Sequence, residues 1–170
     1  MKITMITKLL TLIAAALVVS SCGGGGNSAA SGGTTSTQPT TAIVKLATTG
    51  TLPPNTQIGA IDVTFHLPAG VTVKSTSNPP ETDADVVTAS GVAASNSLLV
   101  ATYTASSGTA RIMLANSNGV GTGEFATVNC DIAPDIHPTQ TDFIVSDMII
   151  KDINGSTISG MTASFAATIQ

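Results

Sequence analysis

Gly59-Ala60-Ile61-Asp62-Val63-Thr64-Phe65-His66-Leu67-Pro68-Ala69-Gly70-Val71 is the stretch that decides the fold. Ile61, Val63, Phe65 and Leu67 alternate with Asp62, Thr64 and His66, and a period of two puts the first set on one face of a strand and the second on the other. Pro68 and Gly70 then turn the chain, because Pro presets φ and Gly tolerates the positive φ of a tight turn. Val71-Thr72-Val73 resumes an extended run. Such a strand has one core face and one solvent face.

Strand patterns of the same kind run outward from it, at residues 43–48, 98–104, 109–115, 123–132, 143–151 and 162–169, the last with Ala163, Phe165, Ala167 and Ile169 inward. Asn118-Gly119 and Asn154-Gly155 each predict a hairpin turn, since Asn and Gly accept positive φ at little cost. Apolar positions nowhere recur at helical spacing over several turns. Many short strands separated by turns predict an all-β chain of two packed antiparallel sheets, a sandwich with jelly-roll topology, because a parallel sheet would need crossover helices. Residues 42–170 are the size of one domain and can bury roughly two-thirds of their unfolded surface.

Upstream the character changes. Lys2 and Lys8 precede the apolar run Leu9-Leu10-Thr11-Leu12-Ile13-Ala14-Ala15-Ala16-Leu17-Val18-Val19, too short to span a bilayer and fitted to a signal h-region. Val19-Ser20-Ser21-Cys22 follows and resembles the lipobox of bacterial lipoproteins, which implies removal of residues 1–21 and lipidation of Cys22. Residues 22–41, rich in Gly, Ser and Thr, have no apolar face to bury and are expected to be a flexible tether with a reach of about 25 Å. A multiply acylated cysteine would hold the chain firmly to a membrane. By resemblance to enterobacterial sorting rules, Gly23 in place of Asp points to the outer membrane.

Without residues 1–21, four cationic side chains (Lys45, Lys74, Arg111, Lys151) stand against ten carboxylates, a net charge of −6. No basic patch exists to neutralise phosphates, which argues against nucleic acid as a partner. With Cys22 lipidated, Cys130 has no partner for an internal disulfide. It shares a strand face with Ala126, Val128 and Ile132, so it is expected to be buried and inert.

For catalysis only His66 and His137 could act as a base near neutral pH, and no Ser or Cys beside them stands in a nucleophile motif. His66 is expected on an outward face with Asp62 and Thr64, and Arg111 as an outward strand charge, so the chain reads as non-catalytic. Calcium has two candidate settings. Glu81, Asp83 and Asp85 alternate carboxylates on a loop after Pro79-Pro80, where a solvated loop is the competing reading. Asp147 with Asp152 and Asn154 lacks the spaced acidic set of a calcium loop, and a hairpin turn explains it better. Sugar binding usually needs flat exposed aromatics; there is no Trp, the four Phe sit at or beside inward positions, and Tyr103 is the one candidate for an exposed ring, with half-buried strand packing favoured over a sugar platform.

Three features in order, the 59–71 strand with its Leu-Pro-x-Gly-Val turn, the Gly123-Glu124-Phe125-Ala126-Thr127-Val128 strand and the closing Asp152-Ile153-Asn154-Gly155 hairpin, together resemble the cohesin domain. That resemblance implies a jelly-roll sandwich of the kind shared with certain carbohydrate-binding modules. It also implies a receptor whose sheet face grips a calcium-loaded dockerin helix pair, although no dockerin-contacting position can be matched here. The expectation is therefore a lipid-anchored envelope protein whose sandwich binds another envelope or extracellular protein, dockerin-like or otherwise. The alternatives are a structural component of a surface complex and a carbohydrate-binding module. A long hydrophobic sheet edge could also drive self-association.

Overall fold

Val, Ile and Thr favour extended backbone, and the alternating segments form strands at the expected places. A computed structural model describes residues 38–76 and 81–170. The signal segment, Cys22 and nearly all of the 22–41 tether lie outside the described residues. Among those described, nine strands form: β1 (Thr41–Thr49), β2 (Ile58–His66), β3 (Val71–Thr72), β4 (Val87–Ala89), β5 (Ser97–Thr104), β6 (Thr109–Val120), β7 (Gly123–Ile132), β8 (Ile144–Asp152) and β9 (Thr162–Ile169), with short 3-10 turns at Gly91–Ala93 and Gln140–Asp142. Short β4 and both 3-10 turns have no counterpart in the alternation pattern.

The strands make two antiparallel sheets. One runs β3-β7-β1-β9, with β4 also paired to β7; the other runs β5-β6-β2-β8. Their inner faces meet in an apolar core of Val44 and Leu46 from β1, Ile61, Val63 and Phe65 from β2, Ile112 and Leu114 from β6, and Val128 from β7. Phe65 stacks on Phe143 at 5.8 Å between ring centroids and meets Phe165 edge-on at 6.3 Å, so one ring ties β2 to the chain before β8 and to β9 of the other sheet. Cys130 is buried, as its alternation with Val128 and Ile132 requires.

The 68–71 turn forms as its residues dictate. Val71 N–H donates to the Pro68 carbonyl, Gly70 takes φ +80°, and a Cβ there would lie 2.5 Å from Ile136 Cγ1. Asn154-Gly155 also closes a hairpin: Asp152 Oδ1 accepts the N–H groups of Asn154 and Ser156, Gly155 has φ +84°, and Lys151 pairs with Thr157.

Asn118-Gly119 does something else. It lies inside β6, whose neighbours β5 and β2 belong to one sheet, while β7 after it belongs to the other. Residues 116–119 bulge out opposite Gly59, between the pairs Ile58–Val120 and Ala60–Ala115. Asn116 Oδ1 accepts the Asn118 N–H, and Gly119 sits at φ +73°, where a Cβ would meet Gln57. The same positive-φ chemistry that predicts a hairpin builds a bulge, because residues 121–122 cross between sheets instead of folding back.

Candidate interaction face

The outer face of the β5-β6-β2-β8 sheet is a register-defined grid. Leu98, Ala115, Ala60 and Lys151 form one row; Val100, Met113, Asp62 and Ile149 the next; then Thr102, Arg111, Thr64 and Ser146; then Thr104, Thr109, His66 and Ile144. The first two rows are largely apolar and open to solvent, with Leu98 69% and Ile149 49% exposed and Val100 and Met113 both 38%. They line an open groove of ≈ 470 Å³. Scattered exposed apolar residues are ordinary, whereas Leu98, Val100 and Met113 stand together on neighbouring β5 and β6, with Ile149 across Asp62 on β8, and make a patch of the sort that marks a contact surface.

A bulge in β8 creates part of this patch. The pairing shifts between Asp62–Ile149 and Thr64–Ser146, so Asp147 and Met148 together face Val63, and Asp147 takes φ +49°. The extra residue reverses the alternation, turning Ile150 into the core and Ile149 out onto the face.

Arg111 joins the apolar and polar halves of the grid. Its Nε and Nη2 donate to the two oxygens of Asp62 at 2.9 and 2.6 Å. This fork holds the Asp62 carboxyl below the usual carboxylate range, against the opposing effect of burial. Among the described residues the other ion pair is Lys45–Glu124, on the opposite sheet. There the Ser90 hydroxyl first, then Lys45 and Thr127, draw the Glu124 carboxyl downward.

His66 lies on the outward face with Asp62 and Thr64, as expected, and Ser146 stands 3.0 Å from its Nε2. The pair is not arranged for nucleophilic attack. Ser146 Oγ donates to Asp147 Oδ2 at 3.1 Å, so it accepts from His66 Nε2–H, while Nδ1 faces the Thr109 hydroxyl at 3.5 Å. The serine proton points away from the imidazole, and among the described residues no carboxylate hydrogen-bonds to the ring. This is a network of surface hydrogen bonds.

The other sequence candidates fall elsewhere. Glu81, Asp83 and Asp85 are exposed; Glu81 pairs with Thr102 beside β5, and Asp83 N–H donates to the Lys74 carbonyl. Asp83 and Asp85 line a separate depression with Lys74, Asn129 and Asp131. Among the described residues no three His, Cys, Asp or Glu side chains gather as a set able to hold a metal ion. Asp152 and Asn154 make the hairpin turn, apart from Asp147 in the bulge. His137 lies in the loop between β7 and β8.

Tyr103 packs more deeply than half-buried: it is 5% exposed, inside the core on the inward face of β5, and burial raises its phenol pKa. None of the five aromatic side chains is exposed, so no flat ring stands ready for a sugar.

No protein-family model matches the sequence, and no curated protein does. Solved structures do match. A non-cellulosomal cohesin from the archaeon Archaeoglobus fulgidus superposes with a TM-score of 0.51 at 17% identity, over 72% of this chain and 75% of that one. A type II cohesin from Bacteroides cellulosolvens gives 0.45 at 12% identity, over 69% and 82% of the two chains. A type II cohesin domain from the Acetivibrio cellulolyticus cellulosome gives 0.44 at 17%, over 68% and 80%. The described chain thus has a cohesin-like β-sandwich fold, and the first of these superpositions carries that conclusion.

Proposed function

We propose that this chain is a non-catalytic, lipid-anchored envelope module that docks another protein on the outer face of its β5-β6-β2-β8 sheet. One observation carries the reading: Leu98, Val100 and Met113 stand exposed side by side on β5 and β6, with Ile149 beyond Asp62 in the Val100–Met113 row, next to a charged and hydroxyl-rich half. An apolar centre flanked by polar groups with fixed partners is the usual anatomy of a reversible protein interface. The amphipathic face of a helix or helix pair, as a dockerin-like partner would present, suits a broad, shallow, ridged surface of this kind. Anchoring rests on the lipobox-like Val19-Ser20-Ser21-Cys22 and the tether after it, and the outer membrane on Gly23.

The test is affinity capture from the envelope and secreted fractions of the source organism with the full chain as bait, with calcium and with chelator, alongside Leu98→Asp and Met113→Asp. A discrete protein held by the wild type and lost by both variants supports the reading, and calcium dependence identifies a dockerin-like ligand. Equal capture by wild type and variants moves the interface off this face. For the anchor, Cys22→Ser is expected to leave the detergent phase in phase partition; retention there refutes lipidation at Cys22.

A further inference from the structure

Of the edges that the two sheets present, three are blunted. β3 and β4 are two and three residues long. β5 is covered by residues 81–82, where Thr82 N–H donates to the Ala101 carbonyl and Glu81 pairs with Thr102. β8 is kinked by the Asp147 bulge and capped by the chain returning from its hairpin, with Ile158 N–H on the Ile150 carbonyl. Short strands, bulges and covering segments are the devices that stop sheets from pairing edge to edge.

β9 has none of them. It runs eight residues without a bulge, paired to β1 alone, and no charged side chain occurs from residue 153 to residue 170. Thr41 and Gln170 exchange both backbone hydrogen bonds, which fixes the register. Residues 162, 164, 166 and 168 turn their N–H and C=O groups to β1, and Ala163, Phe165, Ala167 and Ile169 turn theirs to the open side. The side chains of those four are only half-buried, whereas Ala42, Val44 and Leu46 on neighbouring β1 are 0–1% exposed. The core is unfinished along this edge.

We infer that β9 is a self-association edge, pairing antiparallel with β9 of a second copy about a two-fold axis through Ala166. In that register Phe165 faces the partner's Ala167, and Ala163 faces the partner's Ile169. Every inward pair is then a large side chain against a small one, which fills the half-open core without a clash. On the outer side Ala166 meets its own copy and Ser164 meets the partner's Thr168, all small and uncharged. Both ladders of unpaired backbone groups are satisfied at once, and the interface is closed and isologous. This edge belongs to the other sheet from the proposed docking face.

Sedimentation equilibrium of the full chain in density-matched detergent tests it. A concentration-dependent dimer is expected. Exposed Ala166 tolerates substitution in the monomer, so Ala166→Lys and Ala166→Glu should each keep the circular dichroism of the wild type, and its melting at dilutions where the wild type is monomeric, while weakening the dimer on the order of tenfold or more, because like charges meet on the axis. Mixing the two variants should restore a heterodimer. A wild type that stays monomeric at all concentrations, or a dimer unchanged in both variants, overturns the inference. Leu98→Asp keeps it separate from the docking face: it should leave this dimer intact, and loss of the dimer there would place self-association on the other sheet.

Discussion

Arg111 on β6 grips Asp62 on β2 through a two-pronged hydrogen bond diagonal to the strand register, at the line where the face changes from apolar to polar. The fork lowers the Asp62 pKa from its ordinary 3.8. A depressed carboxylate contributes stability that is present above the unfolded value and lost as pH falls through the folded one. Asp62→Asn should therefore melt lower than the wild type at neutral pH, with the gap closing in acid below pH 3.8. Thermal melts across that range check it, and high salt should narrow the neutral gap, since both side chains are solvent-accessible.

Cys130 gives the opposite slope. Burial first, and then the charge of Asp131, push its thiol up from 9.0 to about 12. An acid group whose folded pKa is raised contributes stability fully present below its unfolded value and lost as pH rises through the folded one. The native protein should resist thiol reagents at pH 8 and react once denatured. Cys130→Ala should flatten the loss of stability between pH 9.0 and about 12, read by denaturant unfolding at stepped alkaline pH.

The alternation that makes strands also made the core legible from the sequence. Ile61, Val63, Phe65, Val128 and Cys130 point inward as a period of two requires, and β7 and β9 fall where the pattern puts them. The interaction face was less legible because it depends on the places where alternation fails. Leu98-Leu99-Val100, Ile112-Met113-Leu114 and Met148-Ile149-Ile150 are apolar on both strand faces, the one sequence signal that marked this sheet as sticky outside as well as inside. Ile149 faces outward only because of the bulge at Asp147, which no local propensity announces. Tyr103 packs deeper than a half-buried strand residue because its position on β5 shares parity with buried Ala101.

Asp147 holds that bulge at φ +49°, a conformation costly to a β-branched residue. Asp147→Val should cost about 1–3 kcal/mol of unfolding free energy, from backbone strain and the lost bond to Ser146. Asp147→Gly should cost less than Asp147→Val, since Gly adopts positive φ freely. Deleting Asp147 is the sharper experiment. Removing the extra residue leaves Ser146, Met148, Ile149 and Ile150 in plain alternation, with Ile149 still outward and Ile150 still inward, so docking on the face and cooperative unfolding should both survive the deletion. A deletion variant that loses both would mean that Asp147 does more in β8 than take up one extra residue.

Gly70 closes the turn whose residues decided the fold, and two independent effects forbid a side chain there. Its φ of +80° costs an L-residue about 1–2 kcal/mol, and a Cβ would press on Ile136, 2.5 Å from Cγ1, where crowding adds roughly 1–3 kcal/mol. Gly70→Ala should thus destabilise by about 2–5 kcal/mol. The two effects separate in a double-mutant cycle with Ile136→Ala. Truncating Ile136 makes room for the new methyl group but leaves the backbone where it was, so the double variant should recover the crowding share and keep the backbone share. Full recovery would show that the turn relaxes out of positive φ once Ile136 retreats, and no recovery that the backbone alone demands glycine.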